Sequence, residues 1–227
     1  MIDKTVASAE AAVADVFDGA TVMIGGFGTA GMPSELIDAL IALGPRELTI
    51  VNNNAGNGDI GLAALLKARR VRKIVCSFPR QTDSYVFDAL YHAGAIELEL
   101  VPQGNLAVRI QAAGAGLGAI FTPTGYGTLL AEGKETRTID GRNYVLEYPI
   151  RADFALIKAD RGDRWGNLVY RKTARNFGPI MAAAAKCTVA QVREIVPLGA
   201  LDPEVVVTPG IFVKRVVQVA APKRAAA

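Results

Sequence analysis

The chain is poor in the residues on which most metal, redox and acid–base chemistry depends. It has one histidine, His92, and two cysteines, Cys76 and Cys187, among 227 residues. With no CxxC pair and no His/Cys cluster, it offers no zinc-type ligand set, and no metal is expected. The cysteines lie in apolar strand-like runs, IVCSF and KCTVAQV, and read as buried reduced thiols. His92 closes a helical stretch, which suits a helix-terminal side chain better than a general base. Charge of one sign is scarce as well: the net charge is +3. The one basic cluster, KARRVRK at 67–73, reads as a solvated helix end and the following strand, so nucleic acid is not an expected partner. No window approaches the roughly 18 apolar residues of a membrane helix. The opening MIDKTVASAEAAVADV reads as a first amphipathic helix; it lacks the apolar core of a secretory signal, and its acids argue against a transit peptide. These absences point to a cytoplasmic protein without membrane association.

What is present is a large apolar fraction, 51%, with 21% charged residues, enough to bury a substantial core as one domain over 1–227. The last residues, 220–227, read as a frayed tail. The first half alternates short, continuously apolar runs at 21–25, 48–51, 71–76, 96–101 and 119–122 with helical patterns at 33–43, 59–70, 83–92 and 105–113. That alternation predicts an α/β fold: an open, mostly parallel sheet with helices on both faces. Pro33 suits a first helical position, Gly44-Pro45 a helix stop, and Asp59 an N-cap. The second half changes character. Asp140-Gly141 between two alternating runs predicts a hairpin over 137–148. A buried strand at 153–159, a turn-rich loop at 160–167, a helix at 179–186 and late strands at 205–207 and 211–219 complete a hairpin-containing C-terminal part.

Residues 18–33, DGATVMIGGFGTAGMP, form a turn, a buried strand, a glycine-rich loop and a helix start. Gly26 to Gly31 satisfies G-x-G-x-x-G in the strand-to-helix context of a dinucleotide site. Two features oppose that reading. A ribose-binding acid is expected about 20 residues on, at the end of the second strand, where the chain instead has Asn52-Asn53-Asn54. Pro33 also removes one backbone N–H that a pyrophosphate would use. Glycines at 25, 26, 28 and 31 still allow a close ligand approach at a helix N-terminus. A tight turn with no ligand is the alternative.

The run Asp18-Gly19, three apolar residues, Gly25-Gly26-Phe27 and Gly31-Met32-Pro33 resembles the first signature of the 3-oxoacid coenzyme A-transferases, in their A (alpha) subunit. VNNNAGNGDIGLAALL (51–66), VPQGNLAVRIQAAGAGLGAIFTPTGYGTLLAEGKE (101–135), GDRWGNLVYRKTARNFGPIMA (162–182) and VVTPGIFVKRVV (206–217) are similar to further blocks of that subunit, so the likeness covers nearly the whole chain. The resemblance implies transfer of coenzyme A between carboxylic acids through a covalent glutamyl-CoA intermediate, with no metal or redox cofactor and the CoA thioester itself as substrate. It also implies that the glutamate belongs to a partner B (beta) subunit.

Within this chain Glu35 is explained by its place in a helix start, Glu97 and Glu99 by an exposed strand face, and Glu132 and Glu135 by a charged loop. None is assigned as nucleophile. By resemblance, Gln103 would donate a hydrogen bond to the reacting carbonyl, its alternative being an amide that finishes a turn. Gly25, Gly26, Phe27, Gly28, Thr29, Ala30 and Gly31 would face coenzyme A. Asn53 and Asn54 either line the substrate cleft or form a turn. The loop Ser77-Phe78-Pro79-Arg80-Gln81-Thr82-Asp83-Ser84 departs from the Tyr-Val-Gly-Glu-Asn form of the acetoacetate-using members and is similar to the branch that uses succinyl-CoA and 3-oxoadipate. Phe78, Arg80 and Gln81 are its substrate-facing candidates, with Arg80 suited to a second carboxylate or else to a surface ion pair. Rival readings are the acetoacetate version of the same enzyme, a nucleotide-binding dehydrogenase or regulator, and a non-catalytic interaction protein.

Overall fold

A computed structural model describes residues 2–219; the tail at 220–227 lies outside the described residues. The elements run β1 (Thr5–Val6), α1 (Ala9–Val13), β2 (Thr21–Ile24), α2 (Ser34–Leu43), β3 (Leu48–Val51), α3 (Leu62–Lys67), β4 (Val71–Cys76), α4 (Tyr85–His92) and β5 (Glu97–Leu100). They continue with α5 (Gln103–Gly114), β6 (Ile120–Thr122), β7 (Thr136–Ile139), β8 (Arg142–Glu147), β9 (Ala152–Asp163), β10 (Leu168–Val169), α6 (Gly178–Ala184), β11 (Ala185–Val196) and β12 (Arg215–Gln218).

The main sheet has the order β1-β12-β11-β9-β2-β3-β4-β5, with every neighbouring pair parallel, and β10 added antiparallel to β9. Strands such as TVMI and LTIV are buried on both faces, the reason they read as unbroken apolar runs rather than alternating ones. Leu36, Ile37 and Leu40 of α2, Leu65 and Leu66 of α3 and Phe87 of α4 fill one face. Leu106 and Ile110 of α5 and Met181 and Ala182 of α6 fill the other. A second sheet, β6-β8-β7, is antiparallel and carries the predicted hairpin. Its turn is Asp140-Gly141, both at positive φ, as a two-residue hairpin loop of this kind requires.

Several sequence expectations need correction. The run at 119–122 is a strand, but it pairs with β8 in the small sheet instead of extending the parallel one. The opening segment is not one helix: Thr5–Val6 pairs parallel to β12, and only after Ser8, whose side chain accepts from Ala11 N–H, does α1 begin. The polar run at 160–163 continues β9, because Asp160 is taken up by Arg193 of β11 and Asp163 accepts the Trp165 and Asn167 amides at the following turn. The helix at 179–186 ends at Ala184, and the chain enters β11 at Ala185 with extended ψ. Residues 205–207 are not a strand, since Asp202 caps a 3₁₀ turn at Pro203–Val205 there. Gly61 at φ +54°, not Asp59, precedes α3, and Pro33 stands at the N-cap of α2, one place before the helix.

Candidate active site

The carboxyl ends of β2, β3, β4 and β5 lie along one edge of the parallel sheet, and the residues following each strand meet there. Asn52, after β3, is fully buried and donates through Nδ2 to the Ile24 carbonyl at 2.6 Å, which ties β3 to the end of β2. Asn53 accepts at Oδ1 from Gln103 Nε2 and from Ser77 Oγ, each at 2.8 Å. Its carbonyl accepts the Phe78 amide at 3.0 Å. Three strand ends therefore converge on one amide, and Gln103, itself exposed at the start of α5, is oriented by it. Gln103 keeps one further N–H for a ligand. Sequence alone does not single out Ser77, because a serine at a strand end carries no signal until its neighbour is known.

The glycine loop is a small hairpin. Phe27 N–H donates to the Ala30 carbonyl and Ala30 N–H to the Phe27 carbonyl, at 3.0 and 3.2 Å, with Gly28-Thr29 at the tip. Most of its glycines serve this fold rather than an open approach. A Cβ on Gly31 would lie 2.5 Å from the Ala174 carbonyl, and one on Gly26 would meet Met32 at 3.3 Å. Gly25 packs ordinarily against Ile157, and only Gly28 looks onto open space. Asn176 Nδ2 holds the Ala30 carbonyl at 2.9 Å from the far side. The N-terminus of α2 is also occupied: Gln191, buried in β11, accepts the Leu36 amide at 3.2 Å and donates through Nε2 to the Glu35 carboxylate. Glu35 is thus held in a helix-capping arrangement.

Clefts flank the hairpin. One, of about 490 Å³, is lined by Gly28, Thr29, Asn54, Asn57 and Gln81 among others. Asn54 is buried with its Nδ2 unpartnered, and the buried Oδ1 of Asn57 also lacks a partner among the described residues. Polar atoms left in this way along a cleft wall suit a ligand that pairs with them. Gln81 and Asn54 are therefore brought together with Gly28 and Thr29. Phe78 is exposed beside them, bridged to Asn54. Arg80 points along the surface, its Nε donating to Asp88 of α4 at 2.7 Å, and its side chain is 62% exposed.

The remaining titratable groups behave as supports. Burial pushes the Cys76 thiol up to about 12, and burial likewise raises the half-buried Cys187, so neither is a ready nucleophile. His92 donates through Nδ1 to the Asp88 carbonyl within the last turn of α4. Glu97 pairs with Arg72, and Glu99 with Lys73 and Arg109. Among the described residues no group of three or more His, Cys, Asp or Glu side chains is arranged to hold a metal ion, and no helix is long and apolar enough to cross a membrane.

Comparison with known proteins shows the family of the chain. A family model described as Coenzyme A transferase matches residues 6–219. The chain belongs to that family. The A-chain subunit of a 3-oxoadipate CoA-transferase from Pseudomonas putida is 74% identical over 96% of this chain and 95% of its own length. The corresponding subunit of a succinyl-CoA:3-ketoacid coenzyme A transferase from Xanthomonas campestris is 50% identical over 97% of this chain and 91% of its own. Among solved structures, an acyl-CoA transferase apoenzyme from Escherichia coli superposes with a TM-score of 0.86 at 24% identity, covering 98% of this chain and 48% of that one. That likeness is one of fold, and this CoA-transferase chain spans about half of the larger protein. The strand order of this chain differs from the dinucleotide-binding arrangement by one strand: four strands, β2 to β5, run outward before β9 returns beside β2, the switch point of the sheet.

Proposed function

We propose that the chain is the A-type subunit of a two-chain enzyme that moves coenzyme A from succinyl-CoA to 3-oxoadipate. The observation that carries this reading is the 74% identity to a relative named for that acceptor, against 50% to one named for 3-ketoacids. The nucleophile is a glutamate of the partner B subunit, as the resemblance to the 3-oxoacid coenzyme A-transferases implies. That glutamate attacks the succinyl thioester carbonyl, the C–S bond breaks, and CoA thiolate leaves a mixed anhydride. The thiolate then attacks the glutamyl carbonyl, releases succinate and leaves a glutamyl-CoA thioester. 3-Oxoadipate reverses the sequence and departs as the CoA ester. Over the full cycle one thioester is exchanged for another with no change of oxidation state, and in this reading the reaction uses no metal and no redox cofactor.

Gln103, oriented by Asn53, donates to the oxygen of the reacting carbonyl as it becomes an oxyanion, a contribution of about 3 kcal/mol for one donor. Asn54, Phe78 and Gln81 line the acid, and Gly28 with Thr29 borders the thioester arm. Arg80 reads the second carboxylate of 3-oxoadipate: Asp88 holds its Nε and leaves the two terminal nitrogens free for a bidentate pair. The site is cytoplasmic and soluble in this reading. The test is expression of the chain alone and with a B-type partner, assayed with succinyl-CoA and either 3-oxoadipate or acetoacetate. Transfer is expected only from the pair, and with a higher kcat/KM for 3-oxoadipate. Arg80→Met in the pair should raise the KM for 3-oxoadipate and leave that for acetoacetate nearly unchanged. Activity of the lone chain, or a preference for acetoacetate, overturns the assignment.

A further inference from the structure

Asn52, Asn53 and Asn54 follow one another at the end of β3, yet their side chains are engaged differently. Asn52 Oδ1 accepts the Asn54 amide and Asn54 Oδ1 the Gly56 amide, each at 2.8 Å. This is the local turn that asparagine makes with backbone two residues on. Asn53 makes no such turn. Its Oδ1 reaches away from its own segment, and both of its hydrogen bonds come from other elements: Ser77 Oγ at the end of β4 and Gln103 Nε2 at the start of α5. The two donors take up both lone pairs of that oxygen. The direction of the Asn53 carboxamide is therefore set from outside β3, and the two donors differ in how firmly they stand.

Ser77 stands on the firmer side. Its strand, β4, lies inside the parallel sheet between β3 and β5, and Cys76 before it is fully buried. The sheet ladder continues past the strand ends: Asn52 N–H donates to the Val75 carbonyl at 3.1 Å and Val101 N–H to the Cys76 carbonyl at 3.0 Å. Ser77 and Phe78 both give their amides to the Asn53 carbonyl, at 3.2 and 3.0 Å. The Ser77 backbone is thus locked against the residue that its side chain addresses. Gln103 is the opposite case. It is exposed in the first turn of α5, and the contact with Asn53 is its one side-chain hydrogen bond among the described residues. A long, exposed side chain of this kind has much rotamer freedom to lose, so it takes its aim from whatever fixes that partner.

We propose that Ser77 is a positioning residue of the transfer reaction: its hydroxyl holds the Asn53 carboxamide, which in turn aims Gln103 at the reacting carbonyl. The contacts run from the sheet interior to an exposed donor, from β4 to Asn53 to Gln103. Donors fixed in advance are what give an oxyanion site its effect, because nothing has to reorient as charge develops. Ser77 also opens the loop 77–84, but that loop does not depend on its hydroxyl. Ser84 Oγ accepts the Gln81 amide at 2.7 Å and donates to the Gly56 carbonyl at 3.2 Å. Gly58 N–H donates to the Asp83 carbonyl at 2.9 Å. The Ser77 hydroxyl therefore acts on the chemical step and leaves recognition of the acid to Phe78, Arg80 and Gln81. This inference rests on the proposed function and adds a residue to its carbonyl-polarising arm.

The test is Ser77→Ala in the co-expressed pair. Its kcat should fall about fivefold, the size of one net hydrogen bond, and by the same factor with 3-oxoadipate and with acetoacetate. Both KM values should stay nearly unchanged, and the melting temperature should move by only a few degrees. Ser77→Thr, which keeps the hydroxyl, should retain most of the rate. In a Gln103→Ala background Ser77→Ala should cost nothing further, because the group it aims is gone. Additive losses overturn the proposal, as does a defect confined to the KM for 3-oxoadipate, which would make Ser77 a support of the loop. Nitrogen relaxation of the Gln103 side-chain amide reads the same contact without turnover. Ser77→Ala should lower its order parameter, and an unchanged value overturns the proposal. A wild-type pair that transfers no CoA would instead overturn the functional reading, and relaxation alone would then decide whether Ser77 aims Gln103.

Discussion

Gly28 and Gly31 sit three residues apart in one hairpin, both at positive φ, and differ in what surrounds them. Around Gly28 there is nothing within 4 Å of an added methyl, whereas at Gly31 it would strike the Ala174 carbonyl at 2.5 Å. Gly28→Ala should therefore cost only the left-handed penalty, about 1 kcal/mol. Gly31→Ala adds an overpacking clash for about 3 kcal/mol in total. Urea unfolding of the two variants separates them. For Gln103 the balance is reversed. Its side chain is exposed, so Gln103→Ala should leave the melting temperature within a few degrees while lowering kcat of the pair about 100-fold or more. Asn53→Ala should lower kcat by a smaller factor, because it removes only the orienting contact. The sequence made Gln103 and Asn53 legible as strand-end amides, one residue type in one topological place. It could not show that the two touch, nor that Gly25 and Gly31 contact protein, because both facts depend on segments 50 residues or more apart in the chain.

Elements were legible where burial and periodicity agree. β2, β3, β4 and α2 were apparent because a parallel strand buried on both faces leaves an unbroken apolar run and its crossover helix an amphipathic one. The boundary between α6 and β11 was not, because the alanine run MAAAA fits either state and contains no capping residue. The small sheet shows the same limit within a correctly read hairpin. Alternation located β7 and β8, but not that Glu147, at the end of β8, points inward with its side chain 4% exposed. There it meets Lys134 Nζ at 2.7 Å, Arg109 Nε at 3.6 Å and Asn105 Nδ2 at 3.2 Å, which fastens the small sheet to α5, the helix that begins with Gln103. Removing the buried carboxylate leaves the largely buried Arg109 without compensation. Glu147→Ala should cost about 3 kcal/mol, the lower end for a broken buried pair because Lys134 reaches solvent. Lys134→Met should cost well under half of that. Comparable losses in urea unfolding would mean that the network acts through Lys134 instead of Arg109.

At the scale of the whole molecule, the α/β class and the helices on both faces followed from the alternation of short apolar runs with helical patterns. The strand order did not, because the long excursion from β6 to β8 gives no local sign that β9 returns to pair with β2 and so creates the switch point. That closure depends partly on carboxylates. Asp153 accepts the Thr21 amide and pairs with Lys186, joining β9, β2 and β11, and Asp15 forms two 2.6 Å contacts with Arg215, joining α1 to β12. Both acids are held below the usual carboxylate range: Asp15 chiefly by the Arg215 hydrogen bond, and Asp153 despite burial by the Thr21 amide and Lys186. Glu99 is lowered too, Lys73 and Arg109 outweighing its burial. An acid whose folded pKa is depressed contributes stability that is complete above its unfolded value, near 4, and is lost as pH falls through the lower folded value. The melting temperature should thus hold steady from pH 8 to about 5 and drop steeply below about 4. Asp38 works the other way, raised by desolvation at the cleft wall and then by the charge of Glu35. Its ionisation opposes folding, so Asp38→Asn should raise the melting temperature at pH 7, and the gain should vanish by pH 3, where the native acid is already protonated. A gain of equal size at both pH values would show that the charge of Asp38 is not what the folded state resists.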